Sequence, residues 1–170
     1  MNATATQGVV FLTDANEGRI ESRIRLQKQA YLLRWLGYSP FCNLKFSYHY
    51  YGPYSRDLSD GLHMAVVGGL LEEEREEFAG GHTRYAYTLT DQGRRACQGS
   101  GDLLPSDVME LLRRHEWRTL ELGATALFIE EDDGLEPREA FQRALELKPQ
   151  CRDYQPKAEE LLSQLKAMRR

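Results

Sequence analysis

The chain has 170 residues, of which 41% are apolar and 28% are charged, and its formal net charge at pH 7 is −4. This composition is typical of a globular protein and excludes a chain that is disordered throughout. No apolar run approaches the roughly 20 residues that cross a bilayer, and residues 1–6 lack the regions of a signal peptide. We therefore expect a cytoplasmic protein with no membrane partner.

The first third of the chain predicts two helices and a strand. Residues 9–15 have a weak helical pattern, whereas residues 20–36 carry a broad apolar stripe at helical spacing, and Gly37 ends this second helix. The same pattern places the basic residues of the second helix, Lys28 among them, on its exposed side. Residues 45–50 alternate between the two faces of a strand.

A break and a new helix follow this strand. Gly52 and Pro53 interrupt the strand, because proline has no amide proton and fixes φ. The Ser55 side chain can cap a helix that continues to Val67, and a glycine pair at residues 68–69 suits its end.

A hairpin follows the third helix. Residues 70–78 and 84–89 predict two strands joined by a glycine turn at residues 79–81, and Thr90 can cap a short helix that runs to about Cys97. Strand, helix and hairpin in this order indicate a winged-helix module.

The remainder of the chain predicts helices. After a linker at residues 98–101, helical patterns cover residues 106–115, 117–131, 137–147 and 156–168. The second of these is apolar almost all round, so we expect it to be central. The predicted fold is therefore α+β and mainly α: a winged helix-turn-helix domain at residues 1–98, and a C-terminal helical subdomain at residues 102–170 that packs on it or forms a homodimer.

The charges are distributed unevenly. Residues 19–56 contain seven basic residues and one acidic residue, a net charge of +6, whereas residues 72–77 contain five glutamates and one arginine, a net charge of −4. A basic surface attracts nucleic acid or an acidic partner, and an acidic hairpin repels phosphate. The two segments therefore favour different partners.

The start of the third helix leaves two interpretations open. Its backbone amides favour an anion, so His49, Tyr51 and Arg56 could contact a phosphate. Alternatively, the aromatic side chains fill a small core and Arg56 pairs with Asp60 one turn later. The helix itself is a poor reader of base edges, because its exposed positions carry one firm positive charge against two negative charges.

Catalytic and metal-binding patterns are absent from the sequence. There is no phosphate-binding glycine loop and no nucleophile elbow, and the four histidines are dispersed. The acidic run at residues 130–133 has the spacing of a solvated helix end. The widely separated Cys42, Cys97 and Cys151 predict buried thiols. We expect no enzyme, cofactor or metal.

Two groups of motifs resemble known families. The segment Tyr85-x-Tyr87-x-Leu89-Thr90-x-x-Gly93, after a Gly-Leu-Leu strand start, resembles the wing of many bacterial winged-helix regulators. The segments at residues 26–33 and 50–55 resemble the bacterial YwgA-like family, and more distantly the SocA-like antitoxin group. The resemblance covers residues 19–97 and implies the fold, but no catalytic residues or ligand. Glu76, Glu77, His82 and Arg84 stand where DNA-binding relatives have a basic wing tip.

Two functional hypotheses follow. The favoured one is a DNA-associated transcriptional regulator that docks on the phosphates of double-stranded DNA. Its contacts would be Arg19, Arg23, Arg25, Lys28, Lys45, Tyr51, Tyr54 and Arg56. The alternative is an antitoxin-like or adaptor module that binds a basic protein partner through its acidic hairpin. Its contacts would be Glu73, Glu76 and Glu77.

Overall fold

A computed structural model describes residues 3–50, 52–101 and 103–169. The elements up to the hairpin are α1 (Ala3–Ala15), β1 (Arg19–Glu21), α2 (Arg23–Trp35), β2 (Ser47–His49), β3 (Gly52–Tyr54), α3 (Arg56–Val67), β4 (Leu71–Phe78) and β5 (His82–Leu89). The helices α4 (Asp91–Cys97), α5 (Ser106–Arg114), α6 (Trp117–Asp133), α7 (Pro137–Leu147) and α8 (Gln155–Met168) follow, and a 3-10 helix (Pro149–Tyr154) precedes α8. The protein is thus α+β and mainly α.

An antiparallel sheet has the strand order β1-β5-β4. Strand β1 corrects the prediction of one helix over residues 20–36, because residues 19–21 pair with residues 86–88 of β5. Ser22 has a positive φ of 96°, and its hydroxyl accepts a hydrogen bond from the Arg25 amide at 3.1 Å, so α2 begins only after it. Ile20 fits a helical stripe equally well, and its pairing with a distant strand decides the outcome.

Helix α1 is longer than the predicted residues 9–15 and packs against α3. Gly61 makes this contact possible, because a Cβ at Gly61 would lie 2.8 Å from the carbonyl carbon of Ala5. A larger residue at position 61 would push the two helices apart. The contact joins elements that lie more than 40 residues apart, which local periodicity does not reveal.

Strands β2 and β3 form a second, two-stranded sheet in which Ser47 pairs with Tyr54. The predicted break at Gly52 and Pro53 is instead the start of β3, which folds back on β2. Gly52 has a φ of +91°, and a Cβ there would lie 2.2 Å from the Thr125 hydroxyl oxygen. The predicted cap is confirmed: the Ser55 hydroxyl accepts the Leu58 amide at 3.3 Å.

The hairpin and its flanking helix agree with the prediction. Strands β4 and β5 pair in antiparallel register from Leu71 with Leu89 to Phe78 with His82. The Thr90 hydroxyl accepts a hydrogen bond from the Gly93 amide at 3.0 Å and so caps α4.

Helix α6 lies at the centre of the C-terminal part and packs on α2, β3, α7 and α8. The buried apolar side chains of the N-terminal and C-terminal parts form one continuous cluster. Within the part of the chain that the structure describes, no helix has the length and apolarity needed to span a membrane.

The cysteines differ from one another in exposure. Cys151 is buried and Cys97 is half-buried, whereas Cys42 is exposed. The prediction of a buried thiol at position 42 was therefore wrong. Cys42 lies in the turn after α2, where its Sγ contacts the Gly37 carbonyl oxygen at 3.1 Å.

Candidate functional site

The outer face of the three-stranded sheet is a mixed-charge surface, here called the charged face. Its ionic residues are Arg19, Glu21, Glu72, Glu74, Glu76 and Arg84. Arg19 forms ion pairs with Glu76 and, at 3.4 Å, with Glu74, while Arg84 reaches Glu21 at 3.4 Å. A hydrogen bond from Arg84, together with the charge of Arg19, lowers the pKa of Glu76. Arg19 was predicted to contact phosphate, but its guanidinium lies among carboxylates.

Arg23 lies on the opposite face of the same sheet. Its Nε donates to the Tyr87 hydroxyl at 2.7 Å, and that hydroxyl donates to Glu73 Oε2 at 2.7 Å. The guanidinium also lies 4.2 Å from the centre of the Tyr85 ring. Burial raises the pKa of Tyr87 to about 12, so the phenol keeps its proton as a donor. Arg23 therefore belongs to a chain of hydrogen bonds that runs through Tyr87 to a glutamate of the hairpin.

Arg25 and Lys28 point inwards. Arg25 donates to the carbonyl oxygens of His115, at 2.7 Å, and Leu112, at 3.4 Å. Lys28 is 2% exposed, which corrects the expectation of an exposed side chain, and its Nζ donates to the Pro53 carbonyl at 2.8 Å. Apolar spacing on α2 places Lys28 outside the stripe, but α6 and β3 pack over that side of the helix and cover it.

The other predicted DNA contacts surround the small sheet. Lys45 and Arg56 are exposed, and Arg56 lies 4.0 Å from Asp60, as the alternative to a phosphate contact predicts. Tyr54 is half-buried and packs 4.9 Å from the His49 ring. Tyr51 lies outside the described residues. Lys45 and Arg56 thus adjoin the small sheet, whereas Arg19 and Arg23 contact the large one.

The three glutamates predicted to contact a protein partner differ in whether they are already paired within the chain. Glu73 accepts from Tyr87 and lies 3.4 Å from Arg23, and Glu76 lies between two arginines. Glu77 is exposed and lies 3.5 Å from its strand neighbour Arg75. Accessible negative charge on the hairpin is therefore concentrated at Glu72, Glu74 and Glu77.

A groove of about 360 Å³ lies between α2, α3 and the β2-β3 hairpin. Its walls are mainly apolar, with Ile24, Leu26 and Leu62 among them, and Lys28 and His49 also line it. Tyr50, beside His49, is 85% exposed. The groove and hairpin form an aromatic and apolar surface next to the charged sheet.

Two buried polar contacts support this region. The Gln27 side chain donates to the Ser55 carbonyl at 2.9 Å and accepts the Ser55 amide at 2.8 Å. Lys148 Nζ donates to Glu121 at 2.8 Å and to the Tyr50 carbonyl at 2.7 Å. The sequence contained a signal for Glu121, a carboxylate within an apolar helix. Its partner Lys148 lies 27 residues away and had no such signal.

The fold and the sequence can now be compared with known proteins. The molecule is a mainly helical α+β protein with small antiparallel sheets, and its described residues contain no cluster suited to hold a metal ion. No protein-family model matches the chain. The chain is 32% identical over 137 residues to a Bacillus subtilis (strain 168) protein named "Uncharacterized protein YwgA", covering 79% of this chain and 78% of the relative. The chain belongs to the YwgA family.

Proposed function

We propose that this protein is a winged-helix protein-interaction module, of the antitoxin-like or adaptor type, that binds a basic protein partner through its acidic hairpin. The order of elements supports the winged-helix assignment. A helix, a strand, a second helix, the small β2-β3 sheet, a third helix and a hairpin follow one another, and the first strand lies beside the second strand of the hairpin. In this assignment β4 and β5 are the wing.

The observation that carries the proposal is the internal use of the basic residues. Arg19 and Arg23 already pair with glutamates of β4, and Arg25 and Lys28 donate to backbone carbonyls. A phosphate would have to compete with these contacts, and Lys28 would have to leave the interior. Four of the seven basic residues in the +6 segment are therefore already held by contacts within the chain, two of them by carboxylates of the −4 hairpin.

The charge that remains on the sheet favours a basic partner. The charged face carries four carboxylates and two guanidiniums, an excess of two negative charges. Complementary charge increases the rate of association and selects the partner, whereas DNA phosphates would be repelled. A basic protein surface is the complement of this face.

The DNA-associated regulator remains the second candidate. Lys45 and Arg56 are exposed, and Arg56 stands at the N-terminus of α3, where backbone amides favour an anion. Under this hypothesis Lys45 and Arg56 make the first phosphate contacts, and the arginines near the sheet exchange glutamate for phosphate.

One set of variants tests both candidates. Glu72→Lys/Glu77→Lys reverses one exposed acidic residue on each face of the hairpin, and Lys45→Glu/Arg56→Glu reverses exposed basic residues. Both variants leave the pairs of Arg19 and Arg23 in place. We would recover partners by affinity copurification and crosslinking, and then measure the affinity of each purified partner for the variants. The same proteins are titrated with labelled duplex DNA across about 50 to 200 mM salt, where multi-phosphate contacts weaken by orders of magnitude.

We expect to recover a basic partner whose affinity falls at least tenfold with Glu72→Lys/Glu77→Lys. The same partner should bind Lys45→Glu/Arg56→Glu as tightly as it binds the wild type. DNA binding that falls steeply with salt and disappears in Lys45→Glu/Arg56→Glu would overturn the proposal in favour of the regulator.

A further inference from the structure

Strand β4 leaves one edge of the large sheet unpaired. It is the terminal strand in the order β1-β5-β4, and in the chain as described no strand lies beside its other edge. All its residues except Leu71 are at least partly exposed. The strand has eight residues in unbroken register and contains no proline or bulge. Natural proteins usually obstruct an edge of this kind, because its free amides and carbonyls can pair with another chain.

The pairing register identifies the free backbone groups. The Leu89 amide donates to the Gly18 carbonyl at 2.8 Å, and the Ser22 amide donates to the Tyr85 carbonyl at 3.0 Å. Antiparallel pairing alternates, so the odd-numbered residues of β5 face β1 and the even-numbered ones face β4. The Thr90 amide, which donates to the Leu70 carbonyl at 3.1 Å, continues that pattern.

It follows that the even-numbered residues of β4 bond to β5. The odd-numbered residues direct their amides and carbonyls away from the sheet. These residues are Leu71, Glu73, Arg75 and Glu77.

We propose that the partner adds an extended segment as a fourth strand along this free edge, and that the segment carries Lys or Arg at alternate positions. The inference rests on the proposed function and names the partner's binding mode. Main-chain hydrogen bonds to the odd-numbered residues of β4 supply affinity, as in other cases of strand addition. The basic side chains lie on the charged face, where Glu72 and Glu74 are accessible to them at the short distance of cross-strand neighbours.

Charge selects this occupant over a second copy of the chain. Five of the eight residues of β4 are glutamates and one is an arginine. Two copies of β4 placed edge to edge set glutamates opposite glutamates, for example Glu73 opposite Glu77 when they centre on Arg75. Like charges in directly opposite positions are destabilising. The glutamates thus block self-pairing and leave the edge accessible to a basic strand.

The geometry also predicts which amides of the partner form hydrogen bonds with β4. In an antiparallel addition, residues opposite Glu72, Glu74 and Glu76 occupy non-hydrogen-bonded pairs, so their amides point away from β4. The residues between them donate to β4. In a peptide that alternates Lys and Val, the Val amides would therefore bond to the edge, and the Lys amides would not.

The experiment uses an eight-residue Lys-Val alternating peptide with a fluorescent label and measures anisotropy against the full-length protein at low salt. Two further peptides carry N-methyl groups on the Val amides or on the Lys amides, which leaves net charge unchanged. The protein variants are Arg75→Pro, which removes an outward amide, and Arg75→Ala, which keeps it and serves as the matched control. Proline is tolerated on an edge strand where its nitrogen faces solvent.

We expect the Val-methylated peptide to lose at least tenfold in affinity and the Lys-methylated peptide to bind as the parent does. Arg75→Pro should weaken the parent peptide at least tenfold, Arg75→Ala less than threefold, and both should melt cooperatively. Equal binding of both methylated peptides, or no binding of the parent, would overturn strand addition.

The same proteins separate this inference from the proposed function. A basic partner that binds Arg75→Pro normally but fails with Glu72→Lys/Glu77→Lys would overturn strand addition and leave the acidic-hairpin module standing. A partner that binds all these variants with the affinity of the wild type would overturn the proposed function itself.

Discussion

Lys28 is the clearest case of a charged side chain that the fold removes from water. It is almost fully buried, and its Nζ donates to the Pro53 carbonyl at 2.8 Å. Burial disfavours the protonated amine and lowers the pKa of Lys28 to about 7, a shift that Glu121 opposes and Lys148 reinforces. Lys28 thus forms a hydrogen bond that fixes the chain at Pro53, and its burial there makes the protonated amine less stable.

This shift makes stability depend on pH. Between about pH 7 and the ordinary lysine pKa of 10.5, the unfolded chain keeps the Lys28 proton and the folded chain loses it. The free energy of unfolding should therefore rise with pH in this window, by at most about 1.4 kcal/mol per pH unit, and this part of the slope should vanish in Lys28→Met. Urea unfolding of both proteins between pH 7 and 10 measures the difference. Parallel curves for the two proteins would contradict the shift.

The ion pair of Lys148 and Glu121 is another residue-scale feature, with side chains 1% and 2% exposed. Lys148→Met leaves the Glu121 charge buried and should lower the free energy of unfolding by about 3 to 5 kcal/mol. Adding Glu121→Met removes the stranded charge, so the double variant should be more stable than Lys148→Met alone. A double-mutant cycle by chemical denaturation tests this. Additive effects of the two substitutions would show that the pair is not coupled.

At the scale of elements, the start of α3 depends on α2. Gln27 satisfies both backbone groups of Ser55, which sits between β3 and α3. The clamp fixes the direction in which the chain leaves the small sheet, and therefore the floor of the groove beside His49 and Tyr54.

Gln27→Leu should leave the buried amide of Ser55 without a partner, whereas its carbonyl still accepts the Ser59 amide at 3.2 Å. An unsatisfied buried group costs about 1 to 3 kcal/mol, so we expect a loss of this size in the free energy of unfolding. Hydrogen exchange should show faster exchange of the Ser55 amide, with β4 and β5 unaffected apart from global unfolding. Unchanged protection of Ser55 would mean that the clamp does not form.

Element boundaries show what local sequence can predict. Ser55 and Thr90 cap the helices that follow them, and the glycine turn joins β4 to β5, because each of these signals acts over a few residues. Strand β1 was not predicted, because only its pairing with β5 distinguishes it from the first turn of a helix. The two strands lie more than 60 residues apart in the chain.

At the scale of the whole molecule, α6 is shared by the two halves of the chain. Phe128 packs 6.0 Å from the Tyr31 ring of α2 and 6.5 Å from the Tyr48 ring of β2, and Thr125 abuts Gly52. The division into residues 1–98 and 102–170 therefore separates segments of the chain that bury each other's apolar surface.

A chain ending at residue 101 should lose cooperative folding, because the apolar surface of α2 that meets α6 would face water. We expect strong binding of a hydrophobic dye and no sharp thermal transition. Circular dichroism in the near ultraviolet and calorimetry would check this. A cooperative transition with native aromatic signals would instead define residues 1–101 as an independent domain.

Residue types and their local spacing are enough to predict most of the helices, the hairpin, the caps and the unequal distribution of charge. Which of the charges meet solvent depends on tertiary contacts. It pairs Arg19 and Arg23 with β4, buries Lys28 against Pro53, and leaves one edge of β4 open. Ion pairing and burial depend on contacts between residues far apart in the chain, so a count of charges along the sequence could not show which of them remain accessible to a partner.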